Sequence, residues 1–130
     1  MRITSQGWGV EETGFSAESR DDSMVVTING DLDIVTSPQL DECLTRAEST
    51  HQRIILDLAG VDFLDTSGLA VIVGHWKKLE SAGGMLALAG ARYRYTKTLW
   101  ITGLADKLTL YGTVEEGLRA QAETAAPESP

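Results

Sequence analysis

The chain has 130 residues, enough for one domain with a buried core but not for several. Hydrophobic residues make up 42% and charged residues 23%, the balance of a globular protein rather than a disordered or membrane-spanning one. With 19 acids against 11 bases the net charge is −8, which repels duplex nucleic acid and anionic membrane surfaces and argues against both as partners.

Residues 1–12 read as an N-terminal extension or an edge strand, with Trp8 and Val10 as the strand signal. The opening MRITSQGWGVEE lacks the basic-then-apolar pattern of a secretion signal, and no apolar run is long enough to span a membrane. GFSAES and MVVTI, either side of Arg20-Asp21-Asp22-Ser23, predict two strands joined by a polar turn. After NGDLDIV, Thr36 with Gln39 three residues on suggests a capping box, and Pro38 suits a first helical turn. Leu40, Cys43, Leu44 and Ala47 then follow at helical spacing. The lone Cys43 cannot form an internal disulfide, which fits a reducing cytoplasm.

RIILDL, residues 53–58, reads as a buried strand, and AGVDF after it as a loop. Leu69, Ile72, Val73, Trp76 and Leu79 form a second helical stripe, stopped by Gly83-Gly84. MLALA, residues 85–89, predicts a strand, residues 92–102 a helix ended by Gly103, and LTLY, residues 108–111, a last strand. Thr113 with Glu116 offers a capping box for a final helix ending near residue 121. The tail at 123–130, with two prolines and no large apolar side chain, is expected to be disordered. The order ββαβαβαβα makes residues 13–122 a single α/β domain, in which right-handed crossovers build one sheet with an antiparallel hairpin strand at its edge.

Two strand-to-helix junctions carry polar clusters. Asp65, Thr66, Ser67 and Gly68 open the helix that bears Leu69. Capping alone would explain one such side chain, since the first backbone N–H groups of a helix need acceptors. Three oxygen-bearing side chains in succession also suit a site that another molecule reaches, because a helix N-terminus tolerates an anion and a hydroxyl there could receive a phosphate. Asp31, Asp33, Thr36 and Ser37 repeat the theme at the earlier junction, where a turn plus a cap is again the plainer reading. If MVVTI and RIILDL are parallel neighbours, both junctions emerge at the sheet edge where open α/β folds bind ligands.

Taken together, G-D-L-D with T-S-P, then V-D-F-L-D-T-S-G-L and later I-T-G-L, resemble the anti-sigma-factor antagonists of the STAS domain family over residues 13 to 120. The resemblance implies a single STAS-like α/β domain, a mixed sheet with helices packed mainly on one face, and no catalysis or cofactor. It implies a partner, an anti-sigma factor that is also an ATP-dependent Ser/Thr kinase. Binding it frees a sigma factor, and phosphorylation ends the binding until a phosphatase reverses it. Carried over, the phosphoacceptor is Thr66, with Ser67 as the alternative. Asp31, Asp33, Thr36, Asp65, Ser67, Gly68 and Leu69 fall in the partner-binding region. The family's usual acceptor is Ser, so Thr66 departs from the commoner pattern. A runner-up within the same fold is a regulatory subunit of a transporter or stress-signalling complex.

Other chemistries fit less well. A receiver domain phosphorylated on Asp57 would need further carboxylates for Mg²⁺ and a lysine closing the last strand, which the chain lacks. The only histidines, His51 and His75, form no catalytic triad, and with Cys43 they have no metal-ligand spacing. His75 is expected at the surface or boundary of its helix. D-T-S-G occurs once, whereas an aspartic protease dyad needs it twice. Trp76 and Trp100 read as core or boundary residues, and Arg92, Arg94 and Lys97 as a solvated flank or a basic face for a partner.

Overall fold

The structure is a computed structural model and describes residues 7–10 and 14–125, the side chains of 7–10, 124 and 125 excepted. Alternating apolar residues build the first hairpin, β2 (Phe15–Arg20) and β3 (Ser23–Leu32). Asp21 and Asp22 turn it with φ of 53° and 69°, the paired positive values that match a two-residue turn to strand twist. Ahead of it, β1 (Gly7–Val10) pairs antiparallel with β2, as the edge-strand reading expected. The remaining expectations for residues 1–12 lie outside the described residues.

From β3 the chain alternates: α1 (Ser37–Glu48), β4 (Arg53–Leu64), α2 (Thr66–Ser81), β5 (Met85–Ala89), α3 (Lys97–Ile101), a 3₁₀ turn (Leu104–Asp106), β6 (Thr109–Tyr111) and α4 (Val114–Ala125). Among the described residues the sheet has six strands in sequential order, antiparallel over β1–β2–β3 and parallel over β3–β4–β5–β6. Met24, Val26 and Ile28 with Ile54, Leu56 and Leu58 face the main core, covered by Leu40 and Leu44 of α1, Leu69 and Ile72 of α2, and Leu99 of α3. The alternate residues Val25 and Ile55 face Leu118 and Val114 of α4. Three helices therefore cover one face and α4 the other, the one-sided packing that was expected. No helix among the described residues is long and apolar enough to cross a membrane.

Several local expectations are corrected. AGVDF is strand, not loop: β4 runs on to Leu64, with Val61 and Leu64 buried. Ala59 and Gly60 hide this in the sequence, because they interrupt the apolar alternation where the β3–β4 register slips. At the slip there is no room for a side chain, since a Cβ on Gly60 would lie 1.9 Å from Asn29 Oδ1. The helix expected over 92–102 begins only at Lys97; before it, Thr96 gives its hydroxyl to the Arg92 carbonyl at 2.7 Å and takes φ −133°, which stops helix propagation. Helix α4 continues to Ala125, so 123–125 are ordered helix, while 126–130 lie outside the described residues. Its capping box is present in part, with Thr113 Oγ1 accepting from Glu116 N–H and Glu116 Oε1 accepting from Gly112 N–H.

Candidate functional site

Register places the two polar junctions side by side. In the parallel pair β3–β4, Asp31 stands opposite Phe63 and Leu32 opposite Leu64. One residue on, Asp65 donates its N–H to the Leu32 carbonyl at 3.0 Å. The loop after β3 and the start of α2 therefore share the C-terminal edge of the parallel strands, where ligand crevices of such sheets lie.

At the α2 start each residue has a distinct task. Asp65 is the N-cap, in extended backbone, and its Oδ1 accepts from the N–H of Ser67 at 2.8 Å and of Gly68 at 3.2 Å. That satisfies two orphan donors and fixes the first turn. Thr66, the first helical residue, is exposed, and its hydroxyl makes no hydrogen bond among the described residues. Ser67 is half-buried. A phosphoryl group on Thr66 would sit at the positive end of a 16-residue helix.

Gly68 and Leu69 are buried against the chain's own sheet. Leu69 is core, 4% exposed, and a Cβ on Gly68 would come within 2.9 Å of Leu32 Cβ and 3.0 Å of Leu64 Cδ1. The surface that approaches Gly68 closely is the chain's own β3 and β4. Both residues are corrected from partner contact to packing that seats α2 on the sheet.

The acidic loop is held from within. Asp33 is half-buried, and its Oδ1 accepts from the N–H of Val35 at 3.0 Å and of Thr36 at 3.1 Å. Thr36 gives its hydroxyl to the Asp31 carbonyl at 2.8 Å and accepts from Asp33 N–H at 2.9 Å. Thr36 is the N-cap residue of α1 but makes no capping bond, because its αR backbone turns the hydroxyl back into the loop. The expected capping box with Gln39 is absent for that reason. This leaves the Asp31 side chain, Ile34 and Val35 exposed, the last two at 74% and 75%. Nothing in local sequence pattern marks Ile34 and Val35 beyond their being apolar in a loop.

His75 is likewise corrected. It is 6% exposed, with Nε2 2.6 Å from Asp41 Oδ1 and Nδ1 bonded to Glu48. Cys43 is buried, and burial pushes its thiol above the ordinary range, with Arg46 opposing and Glu42 adding to the shift. Asp57 accepts from the Ala59 N–H at 3.1 Å, a local contact within its own strand. Among the described residues no group of acids, histidines and cysteines could hold a metal ion.

Comparison with known proteins follows the same lines. The family model of the STAS domain matches residues 15–117. An anti-sigma-B factor antagonist of Staphylococcus epidermidis is 37% identical over 90 residues, which cover 68% of this chain and 82% of that protein. An anti-sigma F factor antagonist of Paenibacillus polymyxa is 33% identical over 92 residues, covering 68% and 77%. The crystal structure of an anti-sigma factor antagonist from Mycobacterium paratuberculosis matches with a TM-score of 0.71 at 26% identity, over 82% of this chain and 91% of that one.

Proposed function

Because the chain belongs to the STAS domain family and, within it, to the anti-sigma factor antagonists, we propose that it releases a sigma factor by binding that factor's inhibitor, and that phosphorylation of Thr66 ends the binding. The chain is a regulatory protein, not an enzyme. The chemistry belongs to the partner, an anti-sigma factor with Ser/Thr kinase activity. The kinase moves the γ-phosphoryl group of ATP to Thr66 Oγ1: a new P–O bond forms, the bond to ADP breaks, and a base on the kinase takes the hydroxyl proton. A phosphatase hydrolyses the ester and restores binding. This is partner switching in bacterial transcription control, and it is assigned to the cytoplasm.

The observation that carries the assignment is the contrast between neighbours. Thr66 presents an exposed hydroxyl with no hydrogen bond among the described residues, on a turn fixed by Asp65, while Ser67 is half-buried. Asp31, Ile34 and Val35 provide the adjoining contact surface, with Asp33 and Thr36 shaping it. The test is a pulldown with the unmodified protein, followed by incubation of the recovered kinase with ATP and mapping of the phosphate by mass spectrometry. Phosphate on Thr66, lost in Thr66→Ala, is expected. Modification confined to Ser67 would reject the acceptor assignment, and recovery of a transport ATPase in place of an ATP-binding kinase would favour the transporter reading.

A further inference from the structure

The residues 91–105, ARYRYTKTLWITGLA, hold three bases and no acid. The rest of the chain then has 8 bases against 19 acids, or −11 of the total −8, so this segment is a local reversal of sign. Arg94 and Lys97 are exposed and pair with no acid among the described residues. With Tyr95 and Thr98 they line one wall of a groove of roughly 270 Å³, whose other wall is Phe63 and Leu64 at the end of β4. Leu64 is two residues from Thr66, and its carbonyl accepts the Thr98 hydroxyl at 2.9 Å, which ties the basic segment to the phosphoacceptor junction.

The groove is built in advance of any occupant. Thr96 is fully buried and holds the Arg92 carbonyl, and Arg92 lies 4.4 Å over the Tyr95 ring. A turn fixed in this way loses little further freedom on binding. Strand order sets its place. The acidic loop follows β3, the basic segment follows β5, and β4 with Thr66 lies between them.

We infer that the Arg94–Lys97 groove receives a carboxylate-bearing segment of the anti-sigma factor, on the flank of Thr66 opposite the acidic loop. This rests on the antagonist reading and extends it by giving the partner a polarity: acidic where it meets α3, tolerant of negative charge where it meets the loop after β3. Phe63, half exposed at the groove wall, adds apolar contact area. Two adjacent cations without an acidic partner among the described residues, in a stretch free of acids, favour landing of such a segment there, and charge patterns of this kind act mostly on orientation and association rate.

The test measures binding of the wild-type protein and of Arg94→Glu/Lys97→Glu to the anti-sigma factor by titration at low and high salt. Lys77→Glu/Arg119→Glu, exposed and away from the groove, carries the same charge change as a control. The groove variant is expected to bind at least tenfold more weakly at low salt, with a flatter salt dependence, and the control within about threefold. Arg94→Ala/Lys97→Ala, expected to show a smaller loss in the same direction, serves if the reversed pair melts early. Equal affinity of wild type and both groove variants would overturn the inference while leaving the antagonist reading intact. A wild-type dimer abolished by the groove substitutions would also overturn it, assigning this face to a second copy. Failure of the wild type to bind any anti-sigma factor would remove the antagonist reading and the inference together.

Discussion

Nε2 of His75 lies 2.6 Å from Oδ1 of Asp41 while Nδ1 of the same ring meets Glu48, so one imidazole on α2 joins two points of α1 seven residues apart. Glu48 is the costly member, its side chain only 8% exposed, whereas that of Asp41 is 60% exposed. Lys78 Nζ adds a charge contact 3.0 Å from Glu48 Oε1, although that oxygen receives no well-directed hydrogen bond. Replacing His75 with Leu leaves the buried Glu48 carboxylate with only the Lys78 contact and is expected to cost about 3 kcal/mol in urea unfolding. A loss below about 1 kcal/mol would mean that Glu48 finds water instead. Joint replacement of His75 and Glu48 by apolar residues should recover most of the loss.

Asp33 invites two substitutions that separate its roles. Asn keeps an acceptor for the Val35 and Thr36 amides, so Asp33→Asn should fold with little loss while testing whether the charge matters to the partner. Ala removes the acceptor and should cost about 1 kcal/mol, with the loop amides losing protection. Full partner affinity in Asp33→Asn would show that Asp33 acts through loop shape alone.

Gly68→Ala tests how closely α2 sits on the sheet. The added methyl meets Leu32 Cβ at 2.9 Å and the Leu32 carbonyl at 3.2 Å, so the helix start has to lift. A loss of about 1–3 kcal/mol in thermal unfolding is expected. An unchanged melting temperature would show that the junction yields without cost.

Cys43 should behave as an inert thiol. Its buried, raised pKa leaves little thiolate at neutral pH, so Ellman's reagent should label the folded protein far more slowly than the urea-unfolded chain. The linked stability is fully present below the ordinary thiol range and is lost as pH rises through the raised folded value, because the unfolded chain gives up its proton first. Equal labelling rates in the two states would show that the thiol is open to solvent.

Phosphate on Thr66 should block binding without refolding the chain. It brings about −1.5 to −2 charge to a helix start that accommodates anions, beside Asp65 and the acidic loop. Burying that charge against a surface shaped for a neutral hydroxyl is costly, and a loss of ~3 kcal/mol weakens binding more than a hundredfold. NMR shifts should be confined mostly to the loop after β3 and the start of α2. Shifts spread through β3 and β4, or unchanged affinity, would refute this.

What the sequence disclosed followed periodicity. The stripes Leu40–Ala47 and Leu69–Leu79 are visible because each shows one face to one core, and MLALA because it is an apolar run buried on both faces. The junction at Asp65–Gly68 was legible as a helix cap, and the resemblance adds the phosphoacceptor role proposed for Thr66. What stayed hidden depends on contacts distant in the chain. The continuation of β4 through Ala59-Gly60 pairs Gly60 with Asn29, thirty-one residues earlier, whose side chain leaves no room for a Cβ there. Burial of His75 needs acids on a different helix, and Thr36 turns from cap to loop brace only because Asp31 and Asp33 are there to meet it. Gly68 and Leu69 looked like contact residues because a motif does not say which of its members face inward.

The bond from Asp65 N–H to the Leu32 carbonyl has a further consequence for how long a signal lasts. Leu32 and Leu64 are 0% and 2% exposed, so the Asp65 amide is shielded while the ends of β3 and β4 stay paired. Deuterium exchange should therefore find a slowly exchanging amide directly beneath the exposed Thr66 hydroxyl. On the proposed reading of Thr66 as the phosphoacceptor, the state of the switch would reside in one phosphoester, and its duration would follow the rate at which that ester is hydrolysed.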